Sequence, residues 1–277
     1  MRAVLVSRYP RVDTPEWKRR VAAGLLEAGI DVAVLYSRAT LVDQGRDGLR
    51  EEGFGILRRY LDLRRGAGGE EAAAQSLAQW ALSRGLPVER VTSLADPGPL
   101  RRLSPDLVVL VGADLVPASM LEVPPLGTIN PHYGLLPAYR GMNVTEWSLY
   151  RGDPVGVTVH LVDPGVDTGP ILLREEIALH PGETLVSLRR RHQELAAKLL
   201  VEAAVQLRDG TAQPRPQAID EGRQYYRMHP SLRRVAEARL QAQAPAGGAA
   251  GARSGSPCNA AAASTSPSAT WASHQRR

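Results

Sequence analysis

An amide, an imidazole and a carboxylate fall within one Gly/Pro-rich stretch of this chain. Asn130 and His132 lie in Gly127-Thr128-Ile129-Asn130-Pro131-His132, and Asp167 lies in Gly165-Val166-Asp167-Thr168-Gly169-Pro170-Ile171. Between them run Leu135-Leu136-Pro137-Ala138-Tyr139-Arg140-Gly141 and Gly156-Val157-Thr158-Val159-His160. Side chains at strand ends and in such loops can converge without packing obligations. The trio suits acyl transfer: an amide donor for a developing oxyanion, an imidazole to move a proton, and a carboxylate to orient it. Singly, each has a bland reading. Asparagine in a Gly/Pro loop is a turn residue, histidine beside proline is a half-exposed loop residue, and Asp-Thr-Gly is an ordinary turn. Together, in this order, they point to a catalytic set that forms only on folding, because Asp167 comes from a different loop.

The elements that must position the trio are those of an α/β protein. Residues 3–6 are a short apolar run expected as a buried strand, and Thr14 with Pro15 marks a helix start that Gly29 ends. Residues 31–36 form a second apolar strand. Strand, helix and parallel strand make a βαβ unit whose apolar runs are typical of a sheet covered on both faces. A helix is expected over 70–84, with strands over 87–91, 107–111 and 128–130, the last ending at the proposed site. Ligands in open α/β sheets lie beyond the carboxyl ends of the strands. Residues 155–161 alternate as a strand that pairs with 171–178, and 183–208 form a long helix capped by Gly182 or Thr184. The fold class is therefore α/β: a doubly wound, mainly parallel, Rossmann-like sheet with helices on both faces and an antiparallel extension. The expected organisation is a catalytic domain at 1–210, an irregular extension at 211–240, and a disordered Ala/Gly/Ser-rich tail at 241–277. Residues 40–68 give little pattern. Trp147 is expected in the core.

Composition bounds the partners. The formal net charge is +5, but the basic residues are scattered pairs of arginine, and Lys18 and Lys198 are the only lysines. No basic stripe is interleaved with aromatics, which disfavours nucleic acid. Cys258 is the single cysteine, so no intramolecular disulfide forms, and no Cys/His cluster has metal-ligand spacing. The apolar run after Met1 is too short for a signal peptide, and nothing approaches the roughly 20 apolar residues of a membrane span. A cytoplasmic protein is expected.

Asn-x-His, Leu-Leu-Pro with an aromatic-Arg-Gly, Gly-x-Thr-Val-His and Asp-Thr-Gly-Pro-Ile, in that order and spacing, resemble the formyltransferases that use 10-formyltetrahydrofolate. A Pro-Gln and a Tyr-Arg element carry the resemblance to about residue 230. It implies an enzyme that moves a formyl group to a primary amine without a metal, with Asn130, His132 and Asp167 as the catalytic set. Asn130 would donate to the oxyanion of the tetrahedral intermediate. His132 would share that role or pass the proton, and Asp167 would orient His132 or hold a bridging water. The same resemblance implies that the folate pterin sits against Val111, Leu115, Val116 and Leu136 and against the loop holding Asp163, Gly165 and Val166. Apolar residues flanking a strand can equally be core. His160 fits the family strand and reads as structural.

The resemblance leaves the acceptor open. Methionyl-tRNA formyltransferases carry an additional C-terminal β-barrel, which residues 231–277 are too short and too polar to build. Glycinamide ribonucleotide formyltransferases have a Gly-Ser-Asn phosphate cradle where this chain has Ser7-Arg8-Tyr9-Pro10-Arg11, and proline lacks the N–H such a cradle uses. Formyltetrahydrofolate hydrolases share the trio but carry an N-terminal regulatory domain. A small-molecule amine, on an amino sugar or a specialised metabolite, is therefore the expected acceptor. Arg8, Arg11 and Arg140 are the candidates to meet a phosphate or nucleotide on it, with Arg140 equally able to cap its own loop. Family relatives often dimerise, so a homodimer is implied. A catalytically silent binding module that kept the fold is the alternative of another class, and the intact trio weighs against it.

Overall fold

Along β1 (Arg2–Arg8) neighbouring side chains enter two different apolar layers, Ala3 and Leu5 one and Val4 and Val6 the other. A strand apolar on both faces must be covered on both, and this sheet is. The computed structural model describes residues 1–8, 15–37, 76–113 and 115–243. Arg11, the expected Thr14 cap, residues 40–68 and the tail beyond 243 lie outside the described residues.

Seven strands form the sheet: β1, β2 (Asp31–Ser37), β3 (Val88–Val91), β4 (Leu107–Leu110), β5 (Thr128–His132), β7 (Val155–Leu161) and β8 (Ile171–Ile177). Their spatial order is β3-β2-β1-β4-β5-β7-β8. The pairs from β3 to β5 are parallel, and β5–β7 and β7–β8 are antiparallel. The reversal on both sides of β1 and the antiparallel edge are those expected from the sequence. On one face α1 (Pro15–Glu27) and α6 (Leu185–Arg208) pack through Trp17, Val21, Leu25, Leu188 and Leu200. On the other, Leu100 of α3 (Gly98–Arg102) and Met120 of α4 (Ala118–Leu121) join Val4, Val6, Val108 and Leu110. Thr184 caps α6 through a reciprocal bond with Ser187, the second of the two caps expected.

The structure departs from the sequence reading in several places. Ser76 is extended and caps α2 (Leu77–Leu82) through a capping box with Gln79, so the helix expected over 70–84 does not run through residue 76. The cap's own side chain, satisfying a first-turn N–H, sets the start. A second, two-stranded sheet pairs β6 (Tyr139–Gly141) in parallel with β9 (Arg223–Tyr225), so the expected irregular extension is partly ordered. It ends in α7 (Pro230–Gln243), which packs on α5 (Val144–Arg151). Trp147 is not in the core. It sits at the seam of α5 with the extension, donating its indole N–H to the Tyr226 carbonyl at 2.9 Å and tilting over Tyr225. Among the described residues no helix is long and apolar enough to cross a membrane.

Candidate active site

Strand parity builds the first half of the site. Ile129 and Val159 enter the core layer under α1 and α6, so Asn130, His132 and His160 project from the opposite face. Antiparallel register places Asn130 directly across from His160 and His132 across from Thr158. The Nδ2 of Asn130 lies 3.2 Å from Nε2 of His160, and Nδ1 of His160 lies 2.8 Å from the Leu161 carbonyl. A ring nitrogen facing a carbonyl carries the proton, so in the neutral ring Nε2 accepts from the Asn130 amide. One amide hydrogen of Asn130 is thereby tied and the other remains to donate.

The β7–β8 loop supplies the second half. Asp167 takes a left-handed conformation, φ 54°, which aspartate tolerates better than most residues. Its Oδ2 lies 3.3 Å from Nδ1 of His132, and its Oδ1 lies 3.5 Å from Nε2 of His160. The Gly141 N–H donates to Oδ2 at 2.8 Å. His132 is 5% exposed, and its Nε2 lies 2.7 Å from the Tyr139 carbonyl. Both ring nitrogens of His132 thus face acceptors, so the imidazolium is the form that would satisfy both. Burial opposes this and lowers the pKa below the ordinary range, against the charge of Asp167 and the Tyr139 carbonyl and with the help of His160. Burial alone would raise the Asp167 carboxyl; the contacts with His160, His132 and the Gly141 N–H outweigh it and hold the group at about 2. The result is a carboxylate anion beside an imidazole kept neutral until a proton arrives, when both partners for the charged ring are in place.

The remaining expected site residues are placed unevenly. Val111 and Leu136 are fully buried, so they offer no open surface to a ligand. Leu115 is 89% exposed and Val166 is 40% exposed, apolar side chains left in solvent at the carboxyl end of β4 and in the Asp167 loop. Val116 joins the apolar layer under α3 and α4 together with Val162, so the 111–116 and 163–166 segments flank one cluster. Asp163 bonds the Gly165 N–H at 3.0 Å and the Thr168 hydroxyl at 2.7 Å, which shapes the loop. Arg8 ends β1 beside this region, its backbone N–H on the Gly112 carbonyl at 2.9 Å. Arg140 is 4% exposed and donates to the Gly222 carbonyl at 2.9 Å, which is the loop-holding alternative. Arg11 lies outside the described residues. Among the described residues no cluster of His, Cys, Asp and Glu could hold a metal ion.

Sequence reasoning left His160 as a structural residue, yet it touches both Asn130 and Asp167. The signal was present: once 155–161 is an antiparallel neighbour of 128–132, one register puts His160 opposite Asn130. The backbone contributions of Tyr139 and Gly141 carried no such signal.

Residues 88–204 match the formyl transferase family. A methionyl-tRNA formyltransferase from Pelobacter propionicus is 38% identical over 154 residues, 54% of this chain and 48% of the relative. The chain spans about half the length of the curated relatives it matches. Two solved structures share the fold. Glycinamide ribonucleotide transformylase 1 from Symbiobacterium toebii superposes with a TM-score of 0.54 at 22% identity, over 79% of this chain and 94% of that one. A sugar N-formyltransferase from a Shewanella species gives a TM-score of 0.54 at 17% identity, over 87% of each. The matched segment contains Asn130, His132, His160 and Asp167, and over it this chain is similar to the formyl transferase family.

Proposed function

We infer that the protein transfers the formyl group of 10-formyltetrahydrofolate to a primary amine. The observation that carries this reading is the convergence of an Asn130 amide, a neutral His132 and an ionised Asp167 at the carboxyl ends of the strands. The amine nitrogen attacks the formyl carbon, and the carbonyl π pair moves onto oxygen. The untied Asn130 N–H meets that oxyanion. His132 takes a proton from the attacking amine and its charge is held by Asp167 and Tyr139. The C–N bond to folate then breaks as His132 passes that proton to the departing nitrogen. Leu115 and Val166 supply the exposed apolar surface against which the pterin would rest, and Arg8 lies where an anionic group of the acceptor could be met. The reading carries with it a cytoplasmic location.

The acceptor we propose is a small-molecule amine. The described chain after β9 folds back as a helix on α5. A second reading, charged initiator tRNA, is favoured by the 38% identity to a methionyl-tRNA formyltransferase. Release of tetrahydrofolate on a panel of amines separates the two. The panel spans nucleotide-linked amino sugars, glycinamide ribonucleotide, methionyl-tRNA and amino acids, with His132→Ala as control. Release with a sugar amine supports the first reading, and release confined to methionyl-tRNA supports the second. Absence of folate binding would sink the enzyme and leave a silent module.

A further inference from the structure

We propose that Gln217, in the extension beyond the matched segment, is a positioning residue for catalysis that sets the backbone carrying Asp167. The proposal rests on the functional reading above. Its side-chain amide nitrogen donates to the Asp167 carbonyl at 3.1 Å and to the Gly169 carbonyl at 2.6 Å. An amide nitrogen has two hydrogens, so the two carbonyls fix the amide's orientation. The loop they belong to is tethered at its start by Asp163, which bonds the Gly165 N–H and the Thr168 hydroxyl. Gln217 holds its far end. It grips the two carbonyls that flank the turn out of the left-handed Asp167, whose φ of 54° needs support from its surroundings.

The extension is anchored where this grip requires it. Arg215 exchanges both backbone bonds with Ile171, each at 2.8 Å, two residues from Gln217 and two from Gly169. Further along, Gly222 accepts from Arg140, and the Arg223 N–H bonds the Ala138 carbonyl at 3.2 Å. The Tyr225 carbonyl accepts the Met142 N–H at 3.0 Å, and the Tyr225 ring stacks on Tyr139. One segment therefore holds both loops that face His132: the Tyr139–Gly141 strand, which supplies a carbonyl to its Nε2 and an N–H to Asp167, and the Asp167 turn. The Oε1 of Gln217 is buried without a protein partner among the described residues.

The test compares Gln217→Met, which keeps length and volume, with Gln217→Glu, which turns an acceptor toward two carbonyls, and Gln217→Lys, which restores a donor. With the turn loosened, kcat falls roughly 10- to 100-fold in Gln217→Met, the scale of a small misplacement of a catalytic group. KM for the folate stays near wild type, Gln217→Glu is worse, and Gln217→Lys recovers part of the rate. In an Asp167→Asn background Gln217→Met costs nothing further. The titratable groups facing His132 are Asp167 and His160, so NMR titration of the imidazole reads the coupling without turnover. Loss of the Asp167 contact moves the His132 titration to lower pH. An unmoved titration, or an equal loss in the Asp167→Asn background, would overturn the proposal, as would a change confined to Tm. If the wild-type protein turns over no amine, the functional reading fails while the titration still decides what Gln217 does. Should Gln217→Met not fold, Gln217→Asn, one methylene too short to reach both carbonyls, carries the same titration test.

Discussion

The Asn130 amide and the His160 ring are neighbours across the β5–β7 ladder, 3.2 Å apart, and the ring nitrogen that receives the amide is the one that also faces Asp167. Neutral His160 accepts from Asn130; a protonated one would donate to the carboxylate instead. The first state leaves Asn130 oriented with a hydrogen to spare for the oxyanion. Asn130→Ala is expected to lower kcat roughly 10²- to 10³-fold with little change in KM, the usual cost of one oxyanion donor. His160→Leu, which frees the amide to turn, should cost roughly 10-fold, and the double variant should be no worse than Asn130→Ala. Additive losses in steady-state kinetics would show that the two side chains act separately.

Asp167 and His132 form the second coupled pair. Asp167→Asn keeps the shape but removes the charge that opposes the burial of His132. Its kcat should fall roughly 10²- to 10⁴-fold, the contribution general acid–base groups make. The limb of the kcat–pH profile that belongs to His132 should move to lower pH, because the anion is what raises that pKa. A limb that stays in place would mean another group titrates there.

Much of this arrangement was legible beforehand, and the illegible part has a physical cause. Apolar runs such as Leu107–Leu110 announce buried strands, and parity then puts Asn130 and His132 on one face. α5 was missed because three of its five buried residues are Thr145, Glu146 and Ser148, so no apolar period marks it. Glu146 is 3% exposed and satisfied by Arg189 at 2.5 Å from another helix, a pairing invisible locally. β9 was missed because Arg223-Gln224-Tyr225 has no strand pattern of its own and its partner β6 lies far back in the chain. Gln217 fell in a segment read as irregular, since its partners are two backbone carbonyls that any residue would offer.

The seam between β6 and β9 gives a stability prediction. A Cβ on Gly222 would run into the Pro137 carbonyl, and one on Gly141 into the Tyr225 carbonyl, where φ is also +95°. Gly222 has an extended backbone, so its requirement is space alone. Gly222→Ala should destabilise by about 1–3 kcal/mol through overpacking and lower kcat beyond what the lost stability explains, because the extension shifts with it. Gly182→Ala, with φ 72° and open space around it, is the control for backbone cost only. Urea denaturation compares them; equal losses would place no special constraint on the seam.

Acid should weaken the fold through Asp167. The group is lowered from its ordinary 3.8 to about 2, and a depressed carboxyl stabilises the native state fully above its unfolded pKa. The contribution is about 2 kcal/mol. It disappears as pH falls through 4 toward 2, because there the unfolded chain binds the proton first. About 1 kcal/mol should be gone by pH 3. His132 works in the same direction at higher pH: held neutral by burial, it is protonated more readily in the unfolded chain, so stability also falls below the ordinary histidine range. The two effects separate in a variant. Asp167→Asn should lose the difference in unfolding free energy between pH 5 and pH 3 that this carboxylate supplies, while His132→Gln should retain most of it. Wild type and Asp167→Asn with the same slope over that interval would mean that the carboxylate is not held as the geometry around Gly141, His132 and His160 requires.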